Sequence, residues 1–553
     1  MTTSGSLFET HKQRLDEAIA ACASREYYSA FNESPSPRVY GENAAADGKA
    51  AYDALLGRPF PISTPGSEGT VATEKSPYGM ELGVTYPRVK DVDALMAAAQ
   101  SGMKAWRNAG PEGRTGVCLE ILERLHGRIF ELANAVQHTS GQAFVMAFQA
   151  GGAHALDRAL EAIAYAYVEM TRTPRTATWE KPGKMPITME KTFTVVPRGV
   201  ALVIGCNTFP TWNSWPGLFA SLVTGNPVVV KPHPGAVLPL AITAQVCQEV
   251  LSENGFDPNL VTLAVEDPSD KLAATLATRP EVKLVDFTGG NAFGDWLEEN
   301  ARQAIVFTEK AGVNTIVIDS TDDFKAMCGN LAFSFALYTG QMCTAPQNVY
   351  LPAAGIETDE GTKTPAEVGE GIGAALERLL GDDARAVELL GGVVNAGVLE
   401  RLDSVKGDVL VPSREVAHPA YPDATVRTPT ILALDAQDTD VYESECFGPV
   451  AYLIATDGTE ESIDRFRDTV QRHGAMTAAV YSTDAGVIEQ MRDAALDAGV
   501  ALSENLLGPV FVNQSAAFSD FHGTGANPAA NASYTDGAYV ASRFRVIQSR
   551  RHI

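Results

Sequence analysis

Two residues in this chain have the types that nucleophilic carbonyl chemistry needs. Cys343 lies in Tyr338-Thr339-Gly340-Gln341-Met342-Cys343-Thr344-Ala345, after an apolar run at 331–337 that reads as a buried helix. Glu309 lies 34 residues upstream, in Phe307-Thr308-Glu309-Lys310-Ala311-Gly312. A lone cysteine is more often a core residue than a reagent. A thiol beside a base, however, attacks a carbonyl carbon as thiolate. With an aldehyde, the attack gives a thiohemiacetal, and loss of hydride leaves a thioester that water must cleave. A carboxylate such as Glu309 activates that water. The oxyanion needs donors, for which the Cys343 backbone N–H and a side-chain amide are suited. Farther on, Glu445-Cys446-Phe447-Gly448-Pro449 sets a carboxylate near an aromatic ring, as an ordinary loop acid or as a hold on a ribose diol.

A scaffold must position these groups, and the hydropathy pattern supplies one. Apolar runs at 199–205, 227–231, 261–265 and 283–288 alternate with helical periods at 212–223, 239–254 and 269–277. Runs of this kind are strands of a parallel sheet covered on both faces, so the expected fold class is α/β. A second α/β unit is expected from 312, with strands at 313–318, 347–351, 430–434, 450–456, 477–481 and 509–513. A helical layer at 91–170 and an N-terminal arm at 1–70 precede the first sheet, and exposed strands are expected near 187–196 and within 538–553. Ligands of a doubly wound sheet bind beyond the carboxyl ends of its strands. Ile204 and Lys231 fall at such ends. Phe287-Thr288-Gly289-Gly290-Asn291 would aim backbone N–H groups and a helix start at an anion, a weak motif by itself.

Bulk properties exclude several classes. At 553 residues the chain exceeds one ordinary core. Its net charge of −25 argues against non-specific nucleic-acid binding and against docking on an anionic membrane. No apolar run approaches the ~20 residues of a membrane span, and residues 1–9 lack the pattern of a secretory signal. Seven scattered cysteines without a CxxC and nine dispersed histidines suggest reduced thiols, a cytoplasmic setting and no metal site.

Taken together, the motifs resemble those of the NAD(P)-dependent aldehyde dehydrogenase superfamily over residues 75–550. Gly225-Asn226-Pro227-Val228-Val229-Val230-Lys231-Pro232 is similar to its G-N-x-V-x-x-K-P strand, Phe287-Thr288-Gly289 to its F-T-G, and Glu445-Cys446-Phe447-Gly448-Pro449 to its E-x-F-G-P. Glu309 falls where that family has its general base, ahead of a G-Q-x-C cysteine. The resemblance implies an aldehyde dehydrogenase fold. Residues 1–70 would be an extension, 71–180 with 199–311 a Rossmann-like NAD(P)-binding domain, and 312–515 a catalytic domain. Residues 181–198 and 530–553 would be oligomerisation segments of a homodimer or dimer of dimers. It further implies Cys343 as nucleophile, Glu309 as base and Lys231 on the adenosine ribose. Ile204, Gly289 and Gly290 would line the cofactor cleft, with Glu445 and Phe447 at the nicotinamide side.

Departures from the family pattern also carry expectations. Thr208 stands where the family has its oxyanion asparagine; a one-residue shift assigns the role to Asn207, with Asn213 a less favoured substitute. No acid stands three residues after Lys231, where Pro234 is found, and His233 is available; simple charge logic leans toward NADP over NAD. Arg25-Glu26-Tyr27-Tyr28-Ser29-Ala30-Phe31, Gly205-Cys206-Asn207-Thr208-Phe209-Pro210-Thr211-Trp212 and His522-Gly523-Thr524-Gly525 resemble one subgroup. These are the PaaN-type proteins of bacterial phenylacetate degradation, related to the dehydrogenase half of the fused enzyme PaaZ. That resemblance implies a CoA-linked substrate, 3-oxo-5,6-dehydrosuberyl-CoA semialdehyde. Because the chain ends at Ile553, a separate enoyl-CoA hydratase would open the ring. Lys181, Lys184, Lys191, Arg543, Arg545, Arg550 and Arg551 are candidates for a cationic patch that holds CoA phosphates, or are ordinary surface charge. The alternatives are a CoA-acylating dehydrogenase, which does not need Glu309, and a non-catalytic protein that keeps the fold.

Overall fold

Valine-rich segments with no polar face form the first sheet. In the computed structural model, which describes residues 3–310 and 312–553, five parallel strands lie in the order Val261–Leu263, Val228–Lys231, Val200–Ile204, Val282–Thr288, Ile305–Glu309. Met1, Thr2 and Ala311 lie outside the described residues, as therefore do the first positions of the expected arm and one residue of the Glu309 motif. Every residue of Val200–Ile204 and Val228–Lys231 is buried, because helices cover both faces. The chain order of these strands reverses beside Val200–Ile204, so a crevice opens at their carboxyl ends. Lys231 and Glu309 are the last residues of two of the five strands.

The second sheet has seven strands, in the order Asp408–Val411, Thr430–Asp435, Val450–Thr456, Asn348–Pro352, Thr315–Ile318, Ala478–Tyr481, Leu502–Glu504. All pairs are parallel except the antiparallel edge pair formed by Asp408–Val411. Two details differ from the sequence expectation. Asp408–Val411 is a strand, although it is half exposed and so lacks the apolar run of a central strand. The last strand is Leu502–Glu504, whereas 509–513 is loop and turn that lines a cavity.

Three antiparallel strands, Thr176–Lys181, Ile187–Pro197 and Phe544–His552, form a small separate sheet. One expected member of its cationic surface is misplaced. Arg543 is fully buried, and its guanidinium makes a two-pronged ion pair with Asp286 at 2.6 and 2.8 Å, backed by the Ser221 hydroxyl. It is a structural charge that ties the C-terminal segment to the first sheet, not a surface hold for phosphates. Among the described residues no helix is long and apolar enough to cross a membrane. The α/β architecture expected from the alternating pattern is the one the chain adopts.

Candidate active site

The backbone around Cys343 is unusual before its side chain is considered. Tyr338, Thr339 and Gly340 all have positive φ (53°, 56° and 65°), so the helix Phe324–Ala336 ends in a sharp reversal. For a β-branched threonine that conformation is strained. Two hydrogen bonds over-determine it: the Thr339 hydroxyl donates to the Gly391 carbonyl at 2.9 Å and accepts from the Gly391 N–H at 3.1 Å. A side chain at Gly340 would lie 2.3 Å from the Gly448 carbonyl oxygen, so the thiol loop packs directly on the Glu445-to-Pro449 loop. Asn314 then pins the far side. Its amide donates to the carbonyls of Cys343 (2.8 Å) and Ala345 (2.9 Å), and its oxygen accepts from the N–H groups of Met476 and Thr477.

Into the same place projects Glu309, at the end of its strand and 1% exposed. Asn213, in the first turn of the helix Pro210–Val223, donates Nδ2–H to Glu309 Oε2 at 2.8 Å. The Cys206 thiol donates to the Asn213 amide oxygen at 3.6 Å, which fixes which end of the amide faces the carboxylate. His522 Nε2 lies 3.0 Å from Glu309 Oε1 and 3.9 Å from Cys343 Sγ. A carboxylate oxygen of Glu309, the Cys343 sulfur and a ring nitrogen of His522 all lie within 4.8 Å of one another. Burial alone would raise the Glu309 pKa. The facing charge and hydrogen bond of His522, with hydrogen bonds from Cys343 and Asn213, outweigh it, so the carboxyl is held below its ordinary range. The Cys343 thiol is pushed well above its ordinary value, first by burial, then by the charge and hydrogen bond of Glu309 and by Cys206 and Glu445.

The thiol faces a cavity of about 600 Å³. Phe209, Trp212, Phe333, Leu337, Val510 and Phe511 give it apolar walls, while Glu33, Asp157, Glu388 and Asp520 give it acids. No lysine or arginine lines it among the described residues. The N-terminal extension, expected only as an arm packed on the body, supplies Tyr27, Tyr28, Ser29 and Glu33 to this wall. It is held there by Asp157, which accepts from the Ser29 hydroxyl (2.7 Å) and the Ala30 N–H (2.9 Å), and by Tyr28 edge-on against Phe518.

A model of the aldehyde dehydrogenase family matches residues 73–505 of this chain. The chain belongs to the aldehyde dehydrogenase family. A solved NAD-dependent aldehyde dehydrogenase from Burkholderia multivorans is 56% identical, with 99% of each chain covered and a TM-score of 0.97. A vanillin dehydrogenase of Pseudomonas fluorescens is 24% identical over 434 residues, 77% of this chain and 84% of that one. A 1-pyrroline-5-carboxylate dehydrogenase from Thermus with bound NAD shares the fold: 18% identity, TM-score 0.73, 96% of this chain and 99% of that one. An oxidoreductase of this family is what the motifs led one to expect.

Among the expected site residues of this aldehyde dehydrogenase, Cys343 and Glu309 come together and Asn207 does not join them. The Asn207 amide donates to the Thr139 carbonyl at 3.1 Å, and Asn207 does not line the cavity. Thr208 spends its carbonyl on the Gln142 amide (2.7 Å) and does not line it either. Asn213 is the amide beside the thiol and carboxylate, because Pro210 starts the helix and its first turn carries Trp212 and Asn213 to the wall.

At the other end of the crevice, Lys231 is buried and ion-paired with Glu266, a partner that no sequence spacing suggested. Glu266 also accepts from the Leu272 N–H at 2.7 Å. His233 is not the cation that the charge logic assumed. Burial, then Lys231, lowers its pKa to about 4, so it is neutral at pH 7, and its Nδ1 accepts from the Gly235 N–H. Ile204 is buried at its strand end. Gly289 donates its N–H to the Glu309 carbonyl at 3.0 Å, and Gly290 precedes the helix Asn291–Asn300 with open space beside it. Glu445 lies in a separate pocket with Arg401 and Tyr452; burial raises its pKa to about 7 against the opposing charge of Arg401. The Phe447 carbonyl accepts from Arg401 at 2.8 Å.

Proposed function

We propose that this chain oxidises an aldehyde to its carboxylic acid with NAD, Cys343 acting as nucleophile and Glu309 as base of the hydrolytic half. The observation that carries this reading is the convergence of a thiol, an ionised carboxylate and an amide at one end of an apolar cavity. Thiolate attack on the carbonyl carbon sends the π electrons to oxygen. The Asn213 amide and the Cys343 backbone N–H are the donors for that oxyanion. When bound, the nicotinamide accepts the hydride. Glu309 then takes a proton from the water that attacks the thioester, and the acid leaves. Asn213→Ala is expected to lower kcat by about 10²–10³, and Asn207→Ala by far less. Equal losses in steady-state assays would reject that assignment.

The crevice fits a dinucleotide by its donor set. An ammonium and a carboxylate at one strand end suit a ribose diol, and the helix start at Asn291 suits a pyrophosphate. A 2′-phosphate would meet the Glu266 carboxylate and a neutral His233, which favours NAD over NADP. The Burkholderia multivorans relative being NAD-dependent supports the same preference. Glu445 and Phe447 would serve the nicotinamide-side ribose.

For the substrate, the subgroup resemblance points to the CoA-linked semialdehyde of phenylacetate degradation. Its acyl chain would occupy the cavity, while the acids Glu33, Asp157, Glu388 and Asp520 keep the CoA phosphates outside. A panel of aldehydes, with free and CoA-linked semialdehydes in parallel and both cofactors, tests all of this. The expected result is a kcat/KM about tenfold or more higher with NAD than with NADP and highest for the CoA-linked compound. An obligatory requirement for free CoA, with an acyl-CoA formed at the oxidised carbon, would overturn the hydrolytic reading.

The assembly follows the same reading. Residues 71–180 with 199–311 form the cofactor unit and 312–515 the catalytic unit. Segments 181–198 and 530–553 mediate oligomerisation. Exposed Trp179, Ile187, Val546 and Ile547 on the three-stranded sheet support this. Light scattering is expected to give a dimer or tetramer; a monomer at micromolar concentration would remove the proposal.

A further inference from the structure

The proposed mechanism leaves an electrostatic problem at its first step. A half-buried thiol at the cavity wall must ionise next to a carboxylate that is itself buried and ionised. Two adjacent anions in a low-dielectric pocket repel strongly. A lysine or arginine would solve this, yet none lines the cavity among the described residues. The group that touches both anions is His522, whose Nε2 is 3.0 Å from Glu309 Oε1 and 3.9 Å from Cys343 Sγ. An ionised carboxylate only accepts hydrogen bonds, so Nε2 carries a hydrogen directed at Glu309 Oε1, with Cys343 Sγ 3.9 Å from the same nitrogen.

His522 is also built into place. Its backbone pairs with Tyr534 in both directions at 2.9 Å. Its ring stands edge-on to Trp212, with centroids 4.5 Å apart, and is stacked over Tyr534 at 6.4 Å. The other titratable and charged groups around this cluster are Cys206, Glu445, Tyr534 and Asp286, with two cations, Arg543 and Arg158, that are each spent on a carboxylate, Asp286 and Glu161.

We propose that His522 acts as an imidazolium counter-charge, donating Nε2–H between Glu309 and Cys343 so that the Cys343 thiolate can form beside the carboxylate. This rests on Cys343 being the nucleophile. The S–H bond breaks, its proton passes to solvent, and the imidazolium keeps its own. The thiolate then forms the C–S bond. When water later cleaves the thioester, the expelled thiolate returns to the same ion pair. His522 touches the reacting sulfur and is in this sense a catalytic residue. The charge has an opposite effect later in the cycle. It stabilises ionised Glu309 and so weakens it as the base for water. Removing the charge is expected to slow thiolate formation without slowing thioester cleavage.

The test is the pH profile of Cys343 alkylation by iodoacetamide, followed on the Cys343 peptide by mass spectrometry in the full chain without cofactor. His522→Gln keeps a hydrogen-bond donor and removes the charge. The inflection is expected to move up by about one pH unit or more, which makes alkylation at pH 7 about tenfold slower. In single-turnover experiments with the same variant, thioester cleavage is expected to be no slower than in the unmodified chain. An unchanged alkylation profile overturns the proposal. So does an equal slowing of both steps, the mark of a structural role. His522→Lys, which restores a cation, should bring back part of the neutral-pH alkylation, and the circular dichroism and melting temperature of each variant report folding separately. The nucleophile assignment is tested apart from this: turnover that survives Cys343→Ala defeats the mechanism, whereas the alkylation profile reads the influence of His522 on the thiol in either case.

Discussion

Replacing Cys343 with alanine is expected to lower kcat by about 10⁴ or more, since covalent catalysis cannot be supplied by the groups that remain. The fold should tolerate the change. The loop that carries Cys343 is held by backbone and neighbouring contacts: the Thr339 clamp on Gly391, the Gly340 approach to Gly448 and the Asn314 bridge to the Cys343 carbonyl. None of these uses the sulfur. Dinucleotide binding should persist as well, because Lys231 and Glu266 stand on the other sheet edge of the crevice. Calorimetric NAD titration and steady-state rates on the same preparation check both halves. Appreciable turnover by the alanine variant would end the thiol mechanism.

Glu309→Gln is expected to produce a different defect. Glutamine keeps one acceptor oxygen, for the His522 donor or the Asn213 donor but not both, and cannot take a proton from water. Thioester cleavage should slow by about 10²–10⁴, while attack and hydride loss continue. The signature is one equivalent of reduced cofactor formed rapidly, then a stall, with an acyl group of substrate mass on the Cys343 peptide. The thiol should also respond. The Glu309 charge helps to hold the Cys343 pKa up, so removing that charge lowers it, and alkylation at a given pH becomes faster. Multiple turnovers at the normal rate, or no acyl-enzyme by mass, would reject Glu309 as the base.

These two residues were legible because their signals are local. Cys343 and Glu309 each sit in a short motif, although the strand that carries Glu309, Ile305–Glu309, is only partly buried and shows no clear strand pattern, whereas two other strands of its sheet are fully buried. A strand buried on both faces is apolar along its length except where a polar group finds a partner, as Lys231 does, so Val228–Lys231 and Val200–Ile204 read directly as strands. Asp408–Val411 is half exposed and has no such pattern, so its sequence carries no strand signal. The reverse error arose at 509–513, where apolar residues line a cavity and not a sheet.

The partners of the chemistry were hidden for a different reason. His522 is 213 residues from Glu309 and 179 from Cys343 in sequence. It reaches them only because the chain, after Leu502–Glu504, the last strand of the second sheet, crosses back and anchors through Phe518 to Glu161 on the helix Ala155–Thr171 and through Arg543 to Asp286 on the first sheet. Glu266 reaches Lys231 from the loop after the neighbouring strand, whereas a spacing argument looks only a few residues ahead. Asn207 and Asn213 differ by less than two helical turns, and only the position of Pro210 as helix start decides which amide turns inward.

The sequence by itself determined the α/β architecture, the family, and the thiol and carboxylate that its motifs carry, because hydrophobic period and short motifs are properties of contiguous residues. Only the tertiary structure decided which amide, which imidazole and which second carboxylate stand beside them, and that the N-terminal arm walls the cavity. Those choices are made by contacts between segments far apart in the chain. Their energies depend on burial and on distances of a few ångströms, which spacing along the sequence does not encode.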